Sequence, residues 1–138
     1  MKYLGLDLGS KTLGIAVSDA TGLIASTYKT IRHEEEYDRL LDEVKQLVDE
    51  LKIDKIVLGF PKNMNNTIGP KGQLSLEFKE KLEKLVTIPI YLQDERLTTK
   101  TATDMLIMGN VSRKNRKKVV DSVAATIILQ TFLDKERD

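Results

Sequence analysis

A chain of 138 residues, 41% hydrophobic and 31% charged, has the size and composition of one ordinary globular domain with a real core. The absence of cysteine excludes a disulfide framework, a thiolate zinc site and a cysteine nucleophile. No apolar run approaches the ~20 residues of a membrane-spanning helix and the N-terminus lacks a signal-peptide pattern, so a cytoplasmic location with no membrane association is expected. The formal charge of +1 hides an uneven distribution: nine acids fall between residues 34 and 54, whereas residues 111–118 hold Arg113, Lys114, Arg116, Lys117 and Lys118 and no acid.

The first predicted element is a strand. Leu4, Leu6 and Leu8 alternate with Tyr3, Gly5 and Asp7, the period-2 signature of β-structure. A carboxylate within such a run is costly unless it meets a cation or stands at the strand's end beside a cleft. Asp7, followed by the small residues Gly9 and Ser10, is therefore a candidate ligand for a divalent metal. Thr12–Ser18 reads as a second strand, joined to the first by a link short enough for an antiparallel hairpin. Leu23–Thr30, rich in β-branched residues, completes a three-stranded meander.

The period then changes. Leu40, Leu41, Val44, Leu47, Val48 and Leu51 recur at helical spacing, predicting an amphipathic helix over Glu35–Leu51 with its acids on the solvent side. Lys55–Gly59 is a short strand reached by a crossover, hence parallel to its neighbour. Residues 60–72 are rich in Asn, Pro and Gly, a long loop of the kind that is often functional. A helix over Lys71–Val86 is expected to turn Leu74, Phe78, Leu82 and Leu85 inward. Ile88–Leu92 forms the fifth strand, with Pro89 confined to its start or to an edge. Thr98 or Thr99 can cap a helix reaching Met108. After the basic stretch, Val119–Leu133 reads as the last helix, with Val120, Val123, Ala124, Ile127, Ile128 and Leu133 buried and Asp121 in its first turn. The only histidine, His33, reads as a surface residue.

This order predicts an α/β fold with a mixed five-stranded sheet: antiparallel strands 1–3, then parallel strands 4 and 5, with helices on both faces. Ligands of open α/β sheets gather outside the carboxyl ends of the strands. Asp7 at the end of the first strand, Glu95 after the last and Asp121 on the last helix could converge there. Three oxygen donors suit magnesium or manganese, and two such ions ~4 Å apart can activate water and stabilise the leaving oxygen in phosphodiester cleavage. Singly, each acid has a plainer explanation: Asp121 complements a helix dipole, and Asp94 or Glu95 could pair with Arg96.

Several stretches resemble the YqgF/RuvX family, relatives of the RuvC Holliday junction resolvase in the ribonuclease H-like superfamily. They are Gly5-Leu6-Asp7-Leu8-Gly9 with Gly14-Ile15-Ala16-Val17-Ser18, then Val57-Leu58-Gly59-Phe60-Pro61, Asp94-Glu95-Arg96-Leu97-Thr98-Thr99 and Lys118-Val119-Val120-Asp121-Ser122-Val123-Ala124-Ala125. They run nearly the whole length in family order; Phe60 and Asn66 depart from the usual pattern. The resemblance implies a single ribonuclease H-like nuclease domain over 1–138. It also implies a metal-dependent site whose catalytic acids fall on Asp7, Glu95 and Asp121. The implied reaction is trimming of the 5′ end of pre-16S ribosomal RNA, with Holliday junction cleavage the older proposal.

Lys11, Arg113, Lys114, Arg116, Lys117 and Lys118 are candidates for the nucleic-acid backbone. Arg96 could hold a phosphate or orient the carboxylates. The partner would be structured RNA or branched DNA, the protein a monomer or a homodimer; symmetrical junction cleavage would call for a two-fold dimer. Low aromatic content points to phosphate and shape recognition rather than extensive base stacking. Two other classes compete. A phosphate-binding lobe of an actin- or sugar-kinase-like ATPase would need a second lobe, and Gly9-Ser10-Lys11-Thr12 lacks P-loop spacing. A non-catalytic nucleic-acid-binding module would keep the fold without turnover.

Overall fold

The structure, a computed structural model, describes residues 1–9, 11–61, 68–94 and 113–137, and in the last segment side chains over 123–136. In chain order it contains β1 (Tyr3–Leu8), β2 (Thr12–Ser18), β3 (Ala25–Arg32), α1 (Tyr37–Leu51), β4 (Lys55–Phe60), α2 (Pro70–Glu83), β5 (Ile90–Asp94) and α3 (Arg113–Arg137). The five strands form one sheet in the order β3-β2-β1-β4-β5. β1 pairs antiparallel with β2, and β2 with β3; β4 is parallel to both β1 and β5. Thus the expected meander and crossover units are present.

The pleat divides β1 between two cores. Leu4, Leu6 and Leu8 pack with Leu13, Ile15, Ile56 and Leu58 against the apolar stripes of α1 and α2. Tyr3 instead joins Ala16 and Val57 on the opposite face, under Ala125, Ile128, Leu129 and Leu133 of α3. Asp7, two residues beyond Gly5 on that second face, lies on the α3 side of the sheet.

Several boundaries and faces depart from expectation. β3 starts at Ala25 rather than Leu23, because the Asp19 carboxylate accepts hydrogen bonds from the Leu23 and Ile24 amides, committing both to a turn. The Thr21 hydroxyl donates to the same carboxylate, and together these bonds lower its pKa to about 2. α1 starts at Tyr37, since Glu35 adopts a left-handed φ of 62° that no helix continues through. α2 spans Pro70–Glu83, so Leu85 lies beyond its end and is exposed, and Phe60 belongs to β4, not to the following loop. β5 covers Ile90–Asp94, shifted two residues from the expected strand and leaving Pro89 just ahead of it at the sheet's edge. α3 begins at Arg113, six residues before the apolar periodicity, so Asp121 is not a first-turn residue but lies more than two turns inside the helix. On α3, Ala125 and Leu129 are buried while Val123 and Ile127 are only partly covered. The expected helix from Thr98 or Thr99 to Met108 lies outside the described residues.

Candidate active site at the carboxyl end of β1

α3 reaches the sheet at Gly5. A Cβ on Gly5 would stand 2.8 Å from the Leu129 Cβ and 3.2 Å from the Ala125 carbonyl oxygen, closer than packed atoms tolerate. Glycine here is a requirement of close approach, and small Ala125 meets it from the helix. Further contacts fix the helix direction. Phe132 lies against Tyr3 with ring centroids 6.0 Å apart, Gln130 Oε1 accepts from the Ala25 amide, and the Thr126 hydroxyl bonds that of Thr27 at 2.9 Å. As β1 runs from Tyr3 toward Asp7, α3 is therefore met in reverse, from Phe132 to Ala125. Asp121, four residues before Ala125, occupies the next helical turn in that direction. A turn rises ~5.4 Å, and two strand residues rise ~6.6 Å. By these rises, with helix and strand taken as parallel, the Asp121 turn falls near the level of Asp7.

Register places Asp7 in a row with little around it from its own sheet. Asp7 pairs with Gly14 on β2, and Gly14 with Thr30 on β3. On the other side Leu6 pairs with Leu58, so Asp7 comes level with Gly59 of β4, which pairs with Gln93 of β5. Neither flanking residue, Gly14 nor Gly59, carries a side chain. The half-buried carboxylate is consequently uncrowded by its neighbours in the sheet. The parallel strands β1, β4 and β5 all end on this side, β5 at Asp94, the residue before Glu95.

The turn following Asp7 is held by His33, which is 3% exposed. This corrects its assignment to the surface. Its Nδ1 accepts from the Glu35 amide at 3.0 Å, so Nε2 carries the proton and donates to the Gly9 carbonyl oxygen at 3.0 Å. The His33 amide also donates to the Lys11 carbonyl, and the Gly9 amide to that of Thr12. The ring meets Tyr37 edge-on at 5.4 Å. Removing this clamp leaves polar backbone groups unsatisfied, so His33→Ala is expected to cost about 2–3 kcal/mol in urea unfolding, with His33→Gln costing less.

Of the other candidates, Lys11 is exposed and pairs with Glu34 Oε2 at 3.2 Å, which raises the lysine pKa and keeps it cationic. Glu95 and Arg96 lie outside the described residues. Arg113, Lys114, Arg116, Lys117 and Lys118 fall in the first two turns of α3, within the part of the helix described by its backbone, as is Asp121. Among the described residues no three acidic or histidine side chains converge as a metal site. What sequence reasoning missed is the clamp by His33 and the spacing role of Gly5. Neither leaves a periodic signal, because one partner is a backbone carbonyl and the other interaction is the absence of a side chain.

The family model described as RuvX, Holliday junction resolvase, matches residues 1–135. A Bacillus subtilis protein provisionally named a pre-16S rRNA nuclease is 53% identical over 135 residues, covering 97% of this chain and 98% of that one. A Geobacillus protein of the same provisional name is 49% identical over 138 residues, covering 99% and 100%. Among solved structures, Thermus thermophilus RuvC in complex with a Holliday junction substrate superimposes with a TM-score of 0.62 at 15% identity, covering 99% of this chain and 96% of RuvC. At that identity the likeness speaks for the fold, a ribonuclease H-like sheet with its helices.

Proposed function

The chain belongs to the RuvX family described as Holliday junction resolvases, and from that premise we propose that it is a phosphodiester hydrolase acting on structured nucleic acid, with the 5′ end of pre-16S ribosomal RNA as its substrate. The observation that carries the reading is the level row at the carboxyl end of β1. It sets a half-buried carboxylate between two glycines, one helical turn beyond the closest α3 contact. Asp7, Asp121 and Glu95 are the residues that would hold magnesium or manganese. Their oxygen-only chemistry fits a hard cation, and the absence of side chains at Gly14 and Gly59 leaves room beside Asp7. When bound, such ions activate water and stabilise the leaving oxygen.

The chain's own residues supply position and charge. His33 fixes the turn after Asp7. Lys11, Arg96 and the Arg113–Lys118 run contact backbone phosphates without reading sequence. One ribonuclease H-like domain over 1–138, working in the cytoplasm as a monomer, suffices for trimming RNA. Among the described residues no helix is long and apolar enough to cross a membrane.

Comparing a 5′-extended 16S precursor with a synthetic four-way DNA junction, each with magnesium, with manganese and with chelator, tests the proposal. Metal-dependent cutting of the precursor supports it. Cutting of the junction alone, in paired symmetrical nicks, would replace it with the resolvase reading and a two-fold homodimer. Binding of both substrates without cutting either would leave a non-catalytic module.

A further inference from the structure

β3 is an edge strand that, among the described residues, pairs only with β2. Its register is broken once: Lys29 pairs with Ile15 and Thr27 with Ala16, leaving Tyr28 as the extra residue of a β-bulge. Bulges re-aim side chains, and this one carries an aromatic ring. Tyr28 is 41% exposed, with Lys29 Nζ 5.9 Å from its centroid. From Ala25 to Arg32 the strand contains Lys29 and Arg32 and no acid. Arg32, paired with Thr12, stands on the face that carries Asp7. An exposed edge guarded by a bulge and a lysine is a familiar defence against strand pairing. That defence does not call for an exposed tyrosine.

We propose that the β3 edge binds a single-stranded flank of the substrate, one base stacking on Tyr28 and a backbone phosphate meeting Arg32. This rests on the nuclease reading and names the form of nucleic acid that the site takes. Tyr28 and Arg32 are four residues apart, ~13 Å along the strand. Arg32 lies two strands and two residues from Asp7, roughly 12 Å away. A strand climbing the edge past Arg32 would turn over Lys11 to arrive at the carboxyl end of β1. Cationic and aromatic groups together are what single-strand binders use, because every base has a stacking face and every nucleotide a charge. Low overall aromatic content limits the stacking to about one base here.

The test is affinity rather than cleavage, measured in chelator by fluorescence anisotropy. It compares a short RNA hairpin bearing an unpaired 5′ flank with the same hairpin left blunt. Tyr28→Leu is expected to weaken the flanked hairpin about fivefold to a hundredfold and the blunt one by less than about twofold, with Tyr28→Phe retaining affinity for both. Arg32→Gln is expected to lower the slope of log affinity against log salt by about one for the flanked hairpin. Matching urea midpoints confirm that the variants are folded. An unchanged ratio of flanked to blunt affinity in Tyr28→Leu would overturn the proposal and leave the bulge as edge protection. Should the wild-type chain bind neither hairpin, the nucleic-acid reading itself fails. Loss of cleavage alone does not bear on this outcome.

Discussion

Asp7→Asn is expected to lower the rate of substrate cleavage by about a thousandfold or more, the loss of roughly 4 kcal/mol of transition-state stabilisation. The substitution removes one charge from a half-buried carboxylate and keeps its shape, so fold and core are preserved. Affinity for nucleic acid should hold or rise slightly, because an anion facing a phosphate backbone has been neutralised. Single-turnover cleavage with saturating enzyme, alongside anisotropy binding, separates the two effects. Wild-type turnover in the variant would remove Asp7 from the site. Joint loss of binding and of cooperative unfolding would make it a structural residue.

Gly5→Val is expected to be the most damaging substitution for stability. A side chain placed 2.8 Å from the Leu129 Cβ cannot be absorbed by a rotamer change, because the conflict is between two Cβ positions fixed by backbone. Overpacking of this kind costs about 3 kcal/mol, or roughly 10 °C in Tm for a chain of this size. α3 must also shift away from β1, and it carries the turn with Asp121, so activity should fall further than the population of unfolded protein accounts for. Leu129→Gly removes the opposing Cβ, so it should cost less in the Gly5→Val background than in the wild type, a coupling that a double-mutant cycle measures in urea. Additive losses would mean that the two residues do not meet.

Both results bear on how much could be read before the structure. The sheet was legible because alternation along β1 and the stripe of Leu40, Val44, Leu47 and Val48 on α1 are simple periodic signals, each with one face to bury. The long helix was read short because Arg113–Lys118 contains good helix formers but no apolar spacing to announce them. Its buried stripe was misjudged by about one residue because Ala125 packs through smallness against a glycine, which hydropathy does not register. Leu23 and Ile24 looked like strand because they are apolar, although their amides answer to the Asp19 carboxylate. Asp7 stood out as a charge in an apolar strand. That it could converge with Asp121 was legible from the order of strands and helices; the close contact between residues 5 and 129 was not, because a glycine leaves no hydropathy signal.

That same contact has a consequence for the order of events during synthesis. Tyr3, Ala16 and Val57, the sheet's contribution to the second core, leave the ribosome long before Ala125, Ile128, Leu129 and Leu133 arrive to cover them. Until then one face of the nascent sheet is wet and adhesive, the state in which partly made chains attract chaperones or one another. Asp121 travels with the covering helix, so the acid is delivered by the same docking event that buries the face. With Asp121 in the proposed metal site, a nascent chain would not cut the RNA around it before its own folding is complete.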